Sequence, residues 1–335
     1  MWALNNRTPF AAGRTWSRDL NGWHQWIVAV KATYEFTEQG EIKLAEEQTE
    51  PVLAPEYFGE PGESSLKYDA ELVPTKPVTD ILLNGTAHAP EGKPSVEFAV
   101  GLGINGRRKI LRVLGERRWE KTVMGLKPSS PRPVLQVPLC YENAFGGWDK
   151  RDPDPKRQKW DPRNPVGKGI YKQDSDKQDQ PLHQIEYLEG EPHSAGPAGF
   201  GAIDRFWSPR RELNGTYDKA WQQQRQPLLP LDWQPRSLQS APIDQQTAKP
   251  LHGGETIELL NLTPGGRVSF QLPKVFLGFT TAIDGRKEDH RAQLSSVLIE
   301  PDLFRFQMVW NTVLLCRNEA DYLDYTIIRQ KRYEQ

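Results

Sequence analysis

Cysteine is scarce in this chain of 335 residues, in which only Cys140 and Cys316 occur. Two cysteines without CxxC spacing cannot form a disulfide framework, so a reducing compartment is the simpler setting. The first ten residues contain no basic segment followed by an apolar run, so the sequence predicts no secretory signal. The longest apolar stretches, such as residues 26–30, are far too short to cross a bilayer. We therefore expect a cytoplasmic protein that does not enter a membrane.

An excess of basic charge is also lacking, because 43 Lys and Arg face 44 Asp and Glu, for a net charge of −1. Proteins that bind nucleic acids usually carry a clear positive excess, so nucleic acid is not an expected partner. The chain has 28 Pro and 27 Gly, which indicates many loops, while 10% aromatic residues are enough for a core. The composition favours a globular protein with much irregular surface.

Strand patterns occupy both ends of the chain. In residues 23–36 apolar and mixed positions alternate with a period of two, and Gln39-Gly40, Asn84-Gly85 and Asn105-Gly106 follow or separate such runs as turn signals. The predicted strands cover residues 23–36, 42–44, 78–83, 96–104, 109–114, 256–260, 266–272, 275–279, 294–299 and 303–315. Two short helices are expected, at residues 216–224 and 317–322. The fold class is mainly β.

The middle of the chain is rich in Pro, Gly and aromatic residues but has almost no apolar run of strand or helix length. Disordered segments are poor in aromatic residues, so we expect an ordered, irregular insertion anchored by its rings. Residues 1–141 and 251–335 are predicted to form a β-sandwich-like body, with residues 142–250 as a loop-rich insertion packed on it. The alternative is two separate β domains.

Sequence motifs give no support for catalysis, a cofactor or a metal. The GxGxxG match at residues 101–106 is followed by an alternating strand instead of a helix, so a hairpin is the better interpretation. Asp149, Asp152 and Asp154 have basic residues among and beside them, which would oppose a divalent cation, and they lack the arrangement of a calcium loop. The six histidines are scattered singly, and the serines and cysteines lack nucleophile signatures. We expect neither an enzyme nor a bound cofactor or metal.

Several short motifs occur along nearly the whole chain, in this order: Val30-Lys-Ala-Thr-Tyr34, Tyr57-Phe-Gly-Glu-Pro-Gly62, Pro74-Thr-Lys-Pro-Val-Thr-Asp80, Gly85-Thr-Ala-His-Ala-Pro90, Tyr141-Glu-Asn-Ala-Phe-Gly-Gly-Trp148, Asp161-Pro-Arg-Asn-Pro-Val-Gly167, Pro197-Ala-Gly-Phe-Gly201, Phe206-Trp-Ser-Pro-Arg210, Gly215-Thr-Tyr-Asp-Lys-Ala-Trp221 and Leu251-His-Gly-Gly-Glu255. Their number and order resemble the domain of unknown function 2169 family of bacterial proteins associated with type VI secretion. The resemblance implies an adaptor or chaperone that binds a type VI effector and helps to load it onto the VgrG/PAAR spike. The spike-tip VgrG and PAAR proteins and a co-chaperone are further candidate partners.

Partner-binding residues are expected in two places. Rigid loop surfaces with Trp, Tyr and Arg supply interface anchors, which points to Trp207, Arg210, Tyr217 and Trp221. The second place is a basic cluster around Trp119, in which Arg112 and Arg118 are the chosen candidates. A plain exposed sheet face is the alternative for this cluster, and anchoring of the loop to the body is the alternative for the rings. Two other functions stay open: a carbohydrate-active or carbohydrate-binding β protein, and a structural component of the spike.

Overall fold

The computed structural model of this protein describes residues 2–316 and 323–331, which form many strands and only short helices. The helices are α1 (Pro192–Ala195) and α2 (Lys219–Gln224), together with 3-10 turns at Pro90–Gly92, Tyr141–Asn143, Pro155–Arg157, Asp174–Lys177, Arg210–Leu213, Pro235–Leu238, Ile243–Gln245 and Pro301–Leu303. The strands are β1 (Ala3–Asn6), β2 (Ala11–Arg18), β3 (His24–Phe36), β4 (Ile42–Leu44), β5 (Glu56–Tyr57), β6 (Leu66–Tyr68), β7 (Asp80–Leu83), β8 (Thr86–His88), β9 (Glu97–Ile104), β10 (Arg107–Leu114), β11 (Trp119–Thr122), β12 (Gly125–Pro128), β13 (Gln136–Pro138), β14 (Phe145–Gly146), β15 (Trp148–Asp149), β16 (Lys159–Trp160), β17 (Lys168–Gly169), β18 (Ile185–Tyr187), β19 (Thr256–Leu260), β20 (Arg267–Gln271), β21 (Phe276–Ile283), β22 (Arg286–His290), β23 (Gln293–Glu300), β24 (Arg305–Cys316) and β25 (Leu323–Lys331).

The largest sheet joins the two ends of the chain. Its strands lie in the order β2-β3-β24-β23-β7, and β4 pairs with the end of β3. Strands β3 and β24 pair antiparallel along their full length, from Glu35 opposite Arg305 to His24 opposite Cys316. Each of these strands is buried on both faces over several residues, so both faces of the sheet are covered. The prediction of a long strand at residues 23–36 is confirmed.

A second sheet of five strands has the order β18-β10-β9-β19-β20. The hairpin β9–β10 closes through a two-residue turn in which Asn105 has φ 46° and Gly106 has φ 80°. Two successive residues with positive φ are the mark of a type I′ turn, which matches the twist of a hairpin. The hairpin interpretation of the GxGxxG match is therefore confirmed, and the turn between β9 and β10 leaves no helix start for a dinucleotide.

A third sheet has the order β1-β25-β21-β22, in which β1 and β25 run parallel. One apolar core includes buried residues from all three of these sheets, for example Val30, Val100 and Phe279. The rings of Phe36 and Phe306 stack on Phe270 with centroid distances of 4.9 and 4.8 Å, so the first and second sheets pack face to face. The mainly β prediction is confirmed, and this packing is the sandwich-like part of the fold.

The central part of the chain, residues 142–250, is ordered but irregular. It contains strands of two or three residues and the helices α1 and α2, and β18 extends the edge of the second sheet. Asn164, which is fully buried, donates from Nδ2 to the carbonyl oxygens of Tyr141 (2.8 Å) and Phe145 (3.0 Å). Such side-chain bonds satisfy backbone groups that have no sheet partner, so the loops can pack tightly.

Some expectations need correction. Asn84-Gly85 follows a strand as expected, but it does not close a hairpin, because β7 pairs with β23 in parallel and β8 pairs with β13. The helix expected at residues 216–224 is confirmed in its second part as α2, and the one at residues 317–322 lies outside the described residues. Strands β1, β2, β22 and β25 were not anticipated; β22 is short and almost entirely charged, which hides its pattern.

Candidate functional site

The predicted basic cluster lies where β10 meets the central segment, and carboxylates neutralise much of it. Glu186 on β18 accepts from Arg112 (2.6 Å) and Arg117 (2.8 Å), and the Nε2 atom of His183 lies 2.9 Å from its Oε1 atom. Burial alone would raise the pKa of Glu186, but His183 and Arg117 lower this pKa to about 2. Arg112 therefore holds β18 against β10, and Arg112 and Arg117 of the predicted basic cluster are both paired with Glu186.

Arg118, the other candidate in this cluster, is exposed beside the hairpin β11–β12. Its guanidinium donates to the carbonyl oxygen of Asp179 at 3.1 Å, with no carboxylate in ion-pair distance in the described part of the chain. Its positive charge therefore remains available at the surface. At the tip of the same hairpin Val123 and Met124 are exposed.

Trp207 and Arg210, predicted as partner anchors, are buried inside the central segment. The Trp207 ring meets Tyr141 edge to face at a centroid distance of 5.6 Å. Arg210 donates to the carbonyl oxygens of Ser237 and Ile203 and to the Asp69 carboxylate at 2.6 Å. Both side chains hold the central segment to itself and to residues near β6, and neither presents a surface to solvent in this structure.

Tyr217 and Trp221 lie at α2 and are more accessible. Tyr217 is 55% exposed and packs edge to face on the half-buried Trp221, whose indole N–H donates to the carbonyl oxygen of Leu228. Arg225, just after this helix, donates to the carbonyl oxygen of Leu20 in the turn between β2 and β3. The structure therefore places this aromatic pair near the β2–β3 turn, while Arg112 and Arg118 lie against residues 179–187.

A cavity of about 360 Å³ opens between the β9–β10 hairpin and residues 244–251. Beside it lies Lys109, which is buried and donates to Asp244 (2.9 Å) and Gln245 (2.8 Å), with its ammonium 5.5 Å from the Tyr187 ring centroid and 5.6 Å from that of Phe200. Burial lowers the pKa of Lys109 to about 8, against the opposing effect of Asp244. Two acceptors already bind this ammonium, so it holds residues 244–245 in place and is not available as a nucleophile.

A second cavity of about 370 Å³ lies on the other side of Asp244, which lines both cavities together with Gln246. Tyr141, Tyr187 and Arg210 line the second one. Both cavities thus follow the seam between the central segment and the second sheet. Their walls are mainly apolar with a few charged groups, a composition that suits binding of a ligand or a side chain.

No group of three or more His, Cys, Asp or Glu within residues 2–316 and 323–331 could hold a metal ion. Burial raises the pKa of Cys140 to about 12 and also raises the pKa of Cys316, so neither thiol is activated. Glu186 and Asp244, which organise the seam, were missed from sequence because single acidic residues in a polar loop carry no pattern.

Taken together, these features define a mainly β protein with a long aromatic-rich central segment fixed on its sheets and cavities along the seam. The chain belongs to the family described as uncharacterized proteins conserved in bacteria (DUF2169), whose family model matches residues 21–311. Comparisons with curated proteins and with solved structures found no match. Among the described residues, none of the helices has the length and apolar character needed to span a bilayer.

Proposed function

We propose that this protein is a non-enzymatic cytoplasmic adaptor that binds a type VI secretion effector and helps to load it onto the VgrG/PAAR spike. Membership of the family across residues 21–311 supports this proposal, together with the association with type VI secretion that the resemblance implies. The structural observation that carries it is the rigid central segment, which keeps aromatic and cationic side chains at the surface, such as Tyr217 and Arg211. Such side chains supply large contact area at low entropic cost.

The mechanism follows from mass action. A protein that binds only the folded or spike-competent form of an effector stabilises that form in proportion to its concentration. The internal bonds of Trp207, Arg210 and Glu186 keep the central segment in one arrangement, so little ordering is needed when a partner binds. The effector is held ready for assembly and leaves the adaptor when it joins the spike.

Affinity purification tests this proposal. The chain is co-expressed with the proteins encoded beside its gene, purified, and its stoichiometric partners are identified by mass spectrometry. We expect an effector or a spike-tip protein. If the chain purifies alone while every neighbour stays soluble and active without it, the adaptor function is refuted. Secretion of the chain itself into the medium, dependent on a firing secretion system, would instead assign it to the spike.

A further inference from the structure

A short sequence motif occurs twice in the central segment, as Trp148-Asp149-Lys-Arg151 and as Trp160-Asp161-Pro-Arg163. In both copies the aspartate accepts two bonds from the arginine two residues later. The distances from Nε are 2.8 Å in the first copy and 2.9 Å in the second, and the other guanidinium nitrogen donates at 2.7 Å in both. Both aspartates are buried, and the bonds from Arg151 hold the pKa of Asp149 well below its usual range. Each copy is therefore a rigid, charge-assisted clasp.

The two clasps bring their tryptophans together. Trp148 lies opposite Trp160 in the antiparallel pair β15–β16, with ring centroids 5.7 Å apart and ring planes tilted by 33°. The Trp148 indole N–H donates to Gln158 at 2.9 Å, which fixes that ring. Even so, the residues Trp148 and Trp160 are 41% and 38% exposed. This arrangement, which we name the tryptophan pair, keeps two large rings rigid at the surface without burying them.

A cation accompanies each ring. Lys150 lies 4.9 Å from the Trp148 centroid, and the Arg211 guanidinium carbon lies 5.8 Å from the Trp160 centroid. Arg211 is exposed, and no carboxylate of residues 2–316 or 323–331 lies within ion-pair distance of it. The Trp160 indole N–H likewise has no acceptor in that part of the protein. Two donors, one of them charged, thus belong to exposed residues and have no acceptor in the described part of the protein.

We propose that the tryptophan pair is the docking site for an acidic segment of the effector, in which a carboxylate accepts from Arg211 and from the Trp160 indole N–H. This inference rests on the proposed adaptor function and names the site and the partner chemistry. Arg211 beside the Trp160 ring has no ion-pair partner in the described residues and therefore favours a partner of negative charge. Nucleic acids require extended rows of cations, and this chain has no positive excess. An acidic protein segment fits the open donors best.

Calorimetric titration of the purified full-length protein with the effector recovered by affinity purification tests the site. Arg211→Glu and Trp160→Phe are the test variants, and both change exposed groups, so their unfolding temperatures should stay near that of the wild type. Losing a charge-assisted bond and meeting a repulsive charge should weaken binding by Arg211→Glu about tenfold or more. Trp160→Phe keeps the ring and loses the donor, so a smaller loss is expected.

Lys159→Glu is the matched control. Lys159 is exposed and precedes Trp160 in the same strand, but alternation points its side chain to the opposite face. Lys159→Glu reverses one charge, as Arg211→Glu does. If direct contact matters more than overall charge, Lys159→Glu should change the dissociation constant by less than about twofold. Equal weakening by Lys159→Glu and Arg211→Glu would overturn the site.

The other outcomes are also decisive. Should the wild type bind the effector and both test variants bind it equally well, the tryptophan pair is not the site, while the adaptor function stands. Should the wild type bind no neighbouring effector, both proposals fall. Fluorescence anisotropy with a labelled single-stranded DNA tests nucleic acid as the ligand. If the protein binds this DNA, and Arg211→Glu abolishes DNA binding without weakening effector binding, the tryptophan pair is a nucleic-acid site and the inference is overturned.

Discussion

At the scale of single residues, the charges inside this protein explain how an irregular segment becomes rigid. Lys109, Glu186 and Arg210 are all buried, and each binds two or more partners from other parts of the chain. A buried charge costs free energy unless it is paired and hydrogen-bonded. Each of these groups is therefore stabilised only when its partners stand in their present positions. We infer that they specify the position of the loops more than they add net stability.

Lys109 gives a prediction for stability at alkaline pH. Its pKa is about 8 in the folded protein against 10.5 for an ordinary lysine, so between these values the unfolded chain binds more protons. The free energy of unfolding should therefore rise with pH in this window relative to Lys109→Met, by about 2 kcal/mol from pH 8 to pH 10. Urea unfolding of both proteins at the two pH values measures this change. A constant difference between them would show that Lys109 keeps an ordinary pKa.

Glu186 gives a second prediction, at acid pH, where stability should again increase with pH. Its pKa is about 2 in the folded protein against 4.5 for an ordinary glutamate, so its contribution is present above pH 4.5 and is lost as pH falls toward 2. Glu186→Gln should lower the free energy of unfolding at pH 7 by about 3 kcal/mol, because Arg112 and Arg117 lose their shared carboxylate. Denaturant curves at pH 7 and pH 3 should show the gap between the two proteins shrinking. A gap that stays the same at pH 3 would contradict the assignment.

At the scale of elements, the hairpin β9–β10 depends on its two-residue turn at Asn105 and Gly106. Gly106 in this turn has a φ of 80°. A Cβ added at this position would meet no atom within 4 Å. Gly106→Ala should therefore cost about 1 kcal/mol through backbone strain alone, and Gly106→Asn should cost less, because asparagine tolerates a positive φ better. Urea unfolding compares the three proteins. Equal stability of the alanine variant and the wild type would mean that the turn differs from type I′.

Sequence patterns predicted the positions of the strands better than they predicted which strands pair. The strands at residues 23–36 and 256–260 and the Asn105-Gly106 hairpin were predictable, because alternation and turn chemistry are local. Asn84-Gly85 carries the same signal, yet β7 pairs with β23, more than 200 residues away, and no local pattern encodes such a choice. The candidate site was predictable only in its composition. Burial of Trp207 and Arg210 depends on contacts with Tyr141 and Asp69, which sequence alone does not bring together.

At the scale of the whole molecule, the central segment is fixed by contacts at separate points, and exposed residues between them remain free for a partner. Arg210 and Tyr217 represent these two roles. Arg210→Ala should lower the free energy of unfolding by about 3 kcal/mol and speed proteolysis within residues 204–240, since Asp69 loses its buried partner. Tyr217→Ala should change stability by less than about 1 kcal/mol. Chemical denaturation and limited trypsin digestion distinguish them; equal effects would contradict this division.

We propose that the protein binds and stabilises an effector before export, and the thermal stability of that effector measures this directly. The effector is melted at fixed concentration with increasing amounts of this chain, with an unrelated protein as control. Binding to the folded effector alone should add about 2.7 kcal/mol when the chain is present at a hundred times its dissociation constant. We expect the unfolding temperature of the effector to rise with the logarithm of the concentration of this chain. An unfolding temperature that stays constant up to saturating concentrations would contradict it.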